Sequence, residues 1–227
     1  MTPNKALLLP RAPFSLSWVS FWRRRFALPV GALLLFSQAI AYAANPVVLV
    51  IGDSLSAAYG LQESAGWVNL LRQRLASTSP PYDVVNASVS GDTTRGGVTR
   101  IGAALRQYQP KVVIIELGAN DGLRGLSIDS MRGNLETMIR AVEKANAQPL
   151  VVGLELPPNY GPYTQRFSAM FADLGKQHEV PVVASLLAGF GEKRELFQAD
   201  NVHPVAAAQP LMLESVWAEL KPLLRER

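Results

Sequence analysis

An α/β fold with a parallel sheet layered between helices is what the sequence predicts, on three observations. Short β-rich runs alternate along the chain with longer stretches of helical period. The first run is continuously apolar, as a strand buried on both faces requires. Residues able to do chemistry stand directly after the runs, at what would be the carboxyl edge of such a sheet.

Residues 47–51 (Val-Val-Leu-Val-Ile) form that first run. Residues 66–76 follow with Trp67, Leu70, Leu71 and Leu75 at the 3.6-residue period of a helix. Residues 82–86 read as a second strand, and 93–108 as a helix closed by Pro110. Residues 111–116 are a third strand, with Val112, Val113, Ile114 and Ile115 in succession. Residues 130–146 place Met131, Leu135, Met138, Ile139 and Val142 on one helical side. A fourth strand is expected at 149–154, a helix at 163–178 and a short fifth strand at 180–184. A last helix is expected over 205–224, disturbed by Pro210. Right-handed crossovers then put helices on both faces, giving a three-layer α/β/α sandwich around a five-stranded parallel sheet.

The chain of 227 residues is 48% hydrophobic and 18% charged, which suits one folded domain and argues against disorder. It has no cysteine, so thiolate nucleophiles, disulfides and Cys-based zinc sites are excluded. Its two histidines, His178 and His203, are too few for a poly-His metal site, and no metal or cofactor is expected. The net charge of +4 is uneven. Residues 1–43 hold five basic and no acidic residues, so the remainder carries 17 basic against 18 acidic. That balance gives no basic surface bias toward nucleic acid.

Residues 1–43 read as a signal peptide. Arg23-Arg24-Arg25 precedes an apolar stretch at 26–40 and the small-x-small run Ala41-Tyr42-Ala43-Ala44, with cleavage expected after Ala43. The apolar stretch is shorter than the roughly 20 residues that span a bilayer. The domain at 44–227 is therefore expected to be exported, periplasmic or secreted, without a stable membrane span after cleavage.

Four loops then carry the chemistry. After strand one comes Gly52-Asp53-Ser54-Leu55-Ser56, a serine in a tight strand-to-helix turn that a nearby base could deprotonate. It is not the G-x-S-x-G elbow, since Ser56 takes the last position. After strand two, Ser90-Gly91-Asp92 offers a glycine whose N–H can approach a substrate. After strand three, Gly118-Ala119-Asn120-Asp121-Gly122 offers the Asn120 side-chain N–H to a developing oxyanion. Near the end, Asp200-Asn201-Val202-His203 spaces a carboxylate and an imidazole so that one can hold Nδ1–H and leave Nε2 free. Read singly, each is as well explained by a turn or a helix cap. Read jointly they supply a nucleophile, a base with its orienting carboxylate, and oxyanion donors. His178, at a helix end, is expected to be solvated or capping. Asp53, Asp121, Glu116 and Glu155 are expected to be hydrogen-bonded structural groups.

The stretches GDSLSAAYG, NASVSGDTT, ELGANDGLRGL, LPPNYGPY and DNVHP resemble the GDSL/SGNH hydrolases over roughly residues 46–224, most of all their bacterial periplasmic thioesterase I/lysophospholipase/arylesterase branch. The resemblance implies a flavodoxin-like strand order 2-1-3-4-5. It also implies a triad of Ser54, Asp200 and His203, with the oxyanion held by the Ser54 and Gly91 N–H groups and the Asn120 side chain. The substrate expected is a small acyl ester or thioester, lysophospholipid included, and the enzyme is expected to act as a monomer. Leu123 and Leu126 could face an acyl chain, with Tyr160 and Pro157-Pro158 on the same side, or could simply pack the loops. A carbohydrate O-acetylesterase, or a non-catalytic lipid- or glycan-binding protein, would use the same fold. Everything requires the loop at 200–203 to fold back beside the tip of strand one.

Overall fold

The computed structural model describes residues 44–224; the leader read in residues 1–43 lies outside the described residues. Five strands alternate with helices: β1 (Val47–Gly52), β2 (Asp83–Asn86), β3 (Val112–Glu116), β4 (Gln148–Val152) and β5 (Val182–Val183). All neighbours pair in parallel, in the order β2-β1-β3-β4-β5. The chain therefore moves one way from β1 to β2 and the other way from β3 onward. The switch point lies at the tip of β1, which is where such sheets open a crevice for ligands.

The helices are α1 (Trp67–Ala76), α2 (Thr94–Tyr108), α3 (Ala119–Leu123), α4 (Ile128–Lys144), α5 (Pro162–His178) and α6 (Gln209–Leu220). Right-handed crossovers with this strand order put α1 on one face and α2, α4 and α5 on the other. The packing agrees: α1 lies against α6, α2 against α4, and α4 against α5. With both faces covered, Val48–Ile51, Val112–Ile115 and Leu150–Val152 are wholly buried. Each helix turns its apolar stripe inward, Leu71 and Leu75 on α1 and Leu135, Met138 and Val142 on α4. Gly97 lets α2 lie close: a Cβ there would sit 2.4 Å from Leu117 and 2.7 Å from the Met138 sulfur.

The differences from the sequence reading have local causes. Ser127 caps α4 by accepting from the Ser130 N–H at 3.3 Å, so the helix starts at Ile128 rather than at 130. Strand β5 is only two residues long, because Pro181 precedes it and the chain leaves the sheet toward Ser185. Pro210 does not disturb the last helix; it stands in its first turn, where its missing N–H is no loss. The Asn120 loop, to which the sequence reading assigned no element, winds into the short helix α3.

Candidate active site

Strand β1 ends at Gly52, and the chain turns at once. The Asp53 carboxylate accepts the Leu55 N–H at 3.0 Å, and the Asp53 carbonyl accepts the Ala57 N–H at 2.9 Å. Asp53 thus caps the turn that lifts Ser54 out of the sheet. Gly52 has no room for a side chain: a Cβ would lie 2.7 Å from Ser56 and 2.8 Å from Glu116. The cause is register, since Gly52 pairs directly with Glu116 on β3.

The loop at 200–203 does reach back to this turn. Asn201 adopts a left-handed φ of 61°, and Asp200 Oδ1 accepts the N–H groups of Val202 and His203 at 3.0 Å each. Gln198 Nε2 donates to the Tyr59 carbonyl at 2.8 Å, and the Tyr59 ring lies 4.4 Å from the His203 ring. So held, His203 places Nδ1 2.7 Å from Asp200 Oδ2 and Nε2 2.9 Å from Ser54 Oγ. Burial is the largest single influence on the Asp200 carboxyl and raises it, but the hydrogen bonds from the imidazole and the two loop N–H groups, with the His203 charge, together prevail and hold it at about 2. An ionised Asp200 can only accept, which puts the neutral ring's proton on Nδ1 and leaves Nε2 to accept from serine.

The two other loops meet Ser54 at the same edge. Gly91 has a φ of +81°, and a side chain there would face open space. Among the described residues, neither the Ser54 N–H nor the Gly91 N–H has an acceptor. Asn120 is the second residue of α3, and its Nδ2 donates to Asp53 Oδ2 at 3.0 Å. One of its two amide protons is thereby used, and the other remains for a ligand. Asp121 turns the opposite way and accepts from the Thr94 N–H at 2.9 Å and the Thr94 hydroxyl at 2.7 Å, tying α3 to α2.

Beneath Ser54 lies an acidic pair. Glu116 is wholly buried; its Oε2 accepts from Ser56 Oγ at 2.7 Å and the Asp53 N–H at 3.4 Å, while Oε1 has no partner. Burial first, and the Asp53 charge second, push its carboxyl well above the usual glutamate range. Burial also pushes Asp53 up to about 6, against the pull of the Leu55 and Asn120 hydrogen bonds. Both therefore have structural partners, as the sequence suggested. Glu155 is exposed and lines the cavity instead. His178 ends α5, with Nε2 buried without a hydrogen bond and 3.9 Å from Glu136.

Ser54, Gly91, Asn120 and His203 border a cavity of about 1550 Å³. Leu123, Leu154, Leu156 and Pro157 form one wall, and Leu187, Phe190 and Phe197 another. Of the three substrate-contact residues expected from sequence, Leu123 lines this cavity and two do not. Leu126 is 43% exposed outside it, and the Tyr160 hydroxyl donates to the Leu123 carbonyl from behind. The wall after β5 went unread in the sequence, because residues 187–193 carry no polar motif.

The chain is similar to proteins already known. Residues 50–210 match the model of the GDSL-like lipase/acylhydrolase family. Esterase TesA of Pseudomonas aeruginosa is 47% identical over 194 residues, 85% of this chain and 95% of that protein. Thioesterase 1/protease 1/lysophospholipase L1 of Escherichia coli K12 is 39% identical over 201 residues, 88% of this chain and 94% of that protein. The crystal structure of the psychrotrophic esterase EstA from Pseudoalteromonas sp., inhibited by monoethylphosphonate, superposes with a TM-score of 0.75 at 37% identity, covering 80% of this chain and 100% of that one. A serine, an imidazole and free N–H donors at the tip of β1 are what acyl-group hydrolysis needs, and with most of its length matched the chain belongs to the GDSL-like lipase/acylhydrolase family.

Proposed function

We propose that Ser54 is the nucleophile of an ester and thioester hydrolase, with His203 as its base and Asp200 as the group that orients His203. One observation carries this reading: His203 stands 2.9 Å from Ser54 Oγ through Nε2 and 2.7 Å from Asp200 through Nδ1. Ser54 Oγ attacks the acyl carbonyl and its proton passes to Nε2. The carbonyl oxygen, now negative, is received by the Ser54 and Gly91 N–H groups and the second Asn120 amide proton. His203 returns its proton to the leaving alcohol or thiol. Water, deprotonated by the same nitrogen, then releases the acid from Ser54. The reaction uses only this chain's own groups and water.

The substrate class we propose is an acyl chain on a small alcohol, a thiol or a lysophospholipid. The cavity of about 1550 Å³ exceeds the roughly 300–1,000 Å³ usual for small ligands, and its walls are mainly apolar. Such a site has space for a chain and a leaving group together. We further propose that residues 1–43 direct export and are then removed. No helix among the described residues is long and apolar enough to cross a membrane.

The test is Ser54→Ala, measured on p-nitrophenyl octanoate and with a fluorophosphonate probe. Turnover and labelling should both vanish while thermal unfolding stays unchanged. A chain-length series tests the substrate class. Each buried methylene contributes about 0.8 kcal/mol, so kcat/KM should rise by up to about fourfold per methylene beyond acetate. A steady fall beyond acetate would instead favour a carbohydrate O-acetylesterase.

A further inference from the structure

Two backbone N–H groups on different loops can hold one oxygen only if the loops keep a fixed separation. The Ser54 loop leaves β1 and the Gly91 loop leaves β2. One side chain bonds both of them. Arg100, on the second turn of α2, donates through Nη2 to the Gly52 carbonyl at 3.1 Å and through Nη1 to the Ala87 carbonyl. Its Nε donates to Asp92 Oδ2 at 2.7 Å. Gly52 lies two residues before Ser54, and Ala87 and Asp92 bracket Gly91.

We propose that Arg100 is a positioning residue, whose guanidinium fixes the Gly91 N–H relative to the Ser54 N–H and so shapes the oxyanion site. The inference rests on the reading that these two N–H groups receive the oxyanion. Its physical basis is the fork. A guanidinium is planar and holds its donors in rigid directions, whereas a lysine ammonium is a single point on a flexible stem. Three acceptors from two loops are thus referred to one rigid body. The pair is also sheltered, with 24% of the Arg100 side chain and 12% of the Asp92 side chain exposed.

Asp92 is not needed to cap α2. That is done by Thr93, whose hydroxyl accepts the Gly96 N–H at 3.3 Å. Asp92 Oδ1 instead accepts the Thr93 N–H at 2.9 Å, which aims Oδ2 at Arg100. Gly96 supplies the space: a Cβ there would lie 1.8 Å from Asp92 Oδ1. Arg124 adds a longer bond to the Gly91 carbonyl, at 3.4 Å, from the far side of the loop.

Three variants test this: Arg100→Ala, Arg100→Lys and Gly96→Ala, the last evicting Asp92 while leaving Arg100 in place. The readouts are kcat and KM on p-nitrophenyl octanoate, inhibition by an alkylboronic acid that forms a tetrahedral adduct on serine, and Tm. Misplacing a transition-state donor by about an ångström costs on the order of 100-fold. Arg100→Ala should therefore lower kcat about 100-fold with KM little changed, and weaken the boronic acid in proportion. Arg100→Lys should recover only a minor part. Gly96→Ala should lower kcat by more than any fall in Tm accounts for, since the helix propensity of alanine offsets part of the lost Asp92 bonds. If Arg100→Ala does not fold, the other two variants decide. Wild-type kcat in both, or a fall in Tm with kcat and boronic acid affinity intact, would overturn the proposal. Turnover surviving in Ser54→Ala would remove the underlying mechanism instead, and the two failures are separate results.

Discussion

Replacing Asp200 by Asn tests the imidazole's proton more sharply than removing the carboxylate does. In the structure Oδ1 accepts two backbone N–H groups at 3.0 Å each, and Oδ2 alone faces His203 Nδ1 at 2.7 Å. An asparagine keeps both backbone bonds only with its oxygen in the first place and its NH₂ toward the ring. Nδ1 must then accept, the ring proton moves to Nε2, and that proton points at Ser54. The base is lost though no atom has moved. The alternative is an amide flip, which gives up two hydrogen bonds worth about 1 kcal/mol each. That is about 2 kcal/mol, or about 30-fold. Where no such escape exists, tautomer inversion costs about 10⁴-fold. The expected loss in kcat therefore lies between about 30-fold and about 10⁴-fold, with KM unchanged, measured on p-nitrophenyl octanoate. Asp200→Ala should lose less. The Asp200 side chain is 40% exposed, so water can accept from Nδ1–H and the active tautomer survives. An Asn variant near wild type, or an Ala variant slower than it, would refute tautomer control by Asp200.

Two further outcomes follow from the groups beneath Ser54. Gly52→Ala forces a methyl against Ser56 and Glu116 at 2.7–2.8 Å, an overpacking of about 1–3 kcal/mol; calorimetry should show Tm lower by about 3–10 °C. Glu116→Gln should stabilise the protein at pH 8 and not at pH 4. The folded Glu116 holds its proton well above the value of 4.5 at which the unfolded chain releases it. The folded state thus binds more protons in that window, and wild-type stability falls as pH rises through it. Glutamine carries no such proton, so urea midpoints of the two proteins should converge at pH 4 and separate as pH increases.

Much of this was legible in the chain, because strands buried on both faces announce themselves as apolar runs. Val112 to Ile115 could be little else, and the runs also point to the sheet edge where the candidate residues gather. Ser54, Gly91 and Asn120 stand just past such runs, Asp200 and His203 in the loop before the last helix, and the structure brings these loops to one edge. Arg100 was not legible. It sits mid-helix on α2, its partners are carbonyls on two other segments, and carbonyls leave no trace in residue identity. The cavity wall was half legible for a related reason. The Asn120 loop winds into α3, which turns Leu123 inward and carries Leu126 past the cavity; only the backbone decides between two such leucines. Pro210 was read by its general effect on helices, when its position in the first turn determines what it does.

The buried polar groups show where stability has been given up for geometry. Seven polar or charged residues are buried among the described ones: Asp53, Ser56, Thr94, Glu116, Asp121, Ser185 and Gln209. The first five belong to two networks that meet at the tip of β1. In one, Glu116, Ser56 and Asp53 set the turn that presents Ser54, and Asp53 orients the Asn120 amide. In the other, Asp121 holds the start of α2 through Thr94, and Asn134 Nδ2 donates to the Thr94 hydroxyl at 2.9 Å. A core built for stability alone would leave no carboxyl oxygen unpartnered and would not set Glu116 beside Asp53, for buried polar groups stabilise only when every atom is satisfied. In the mechanism proposed above, three carboxylates act on three different groups: Asp53 on the Asn120 side chain, Asp92 with Arg100 on the Gly91 N–H, Asp200 on the imidazole. Substituting Asp53, Asp92 or Asp200 by its amide should therefore slow the same reaction through a different atom. The losses of Asp53 and Asp92 should converge in a double variant, since both act on one oxyanion, whereas that of Asp200, acting on the base, should multiply with either.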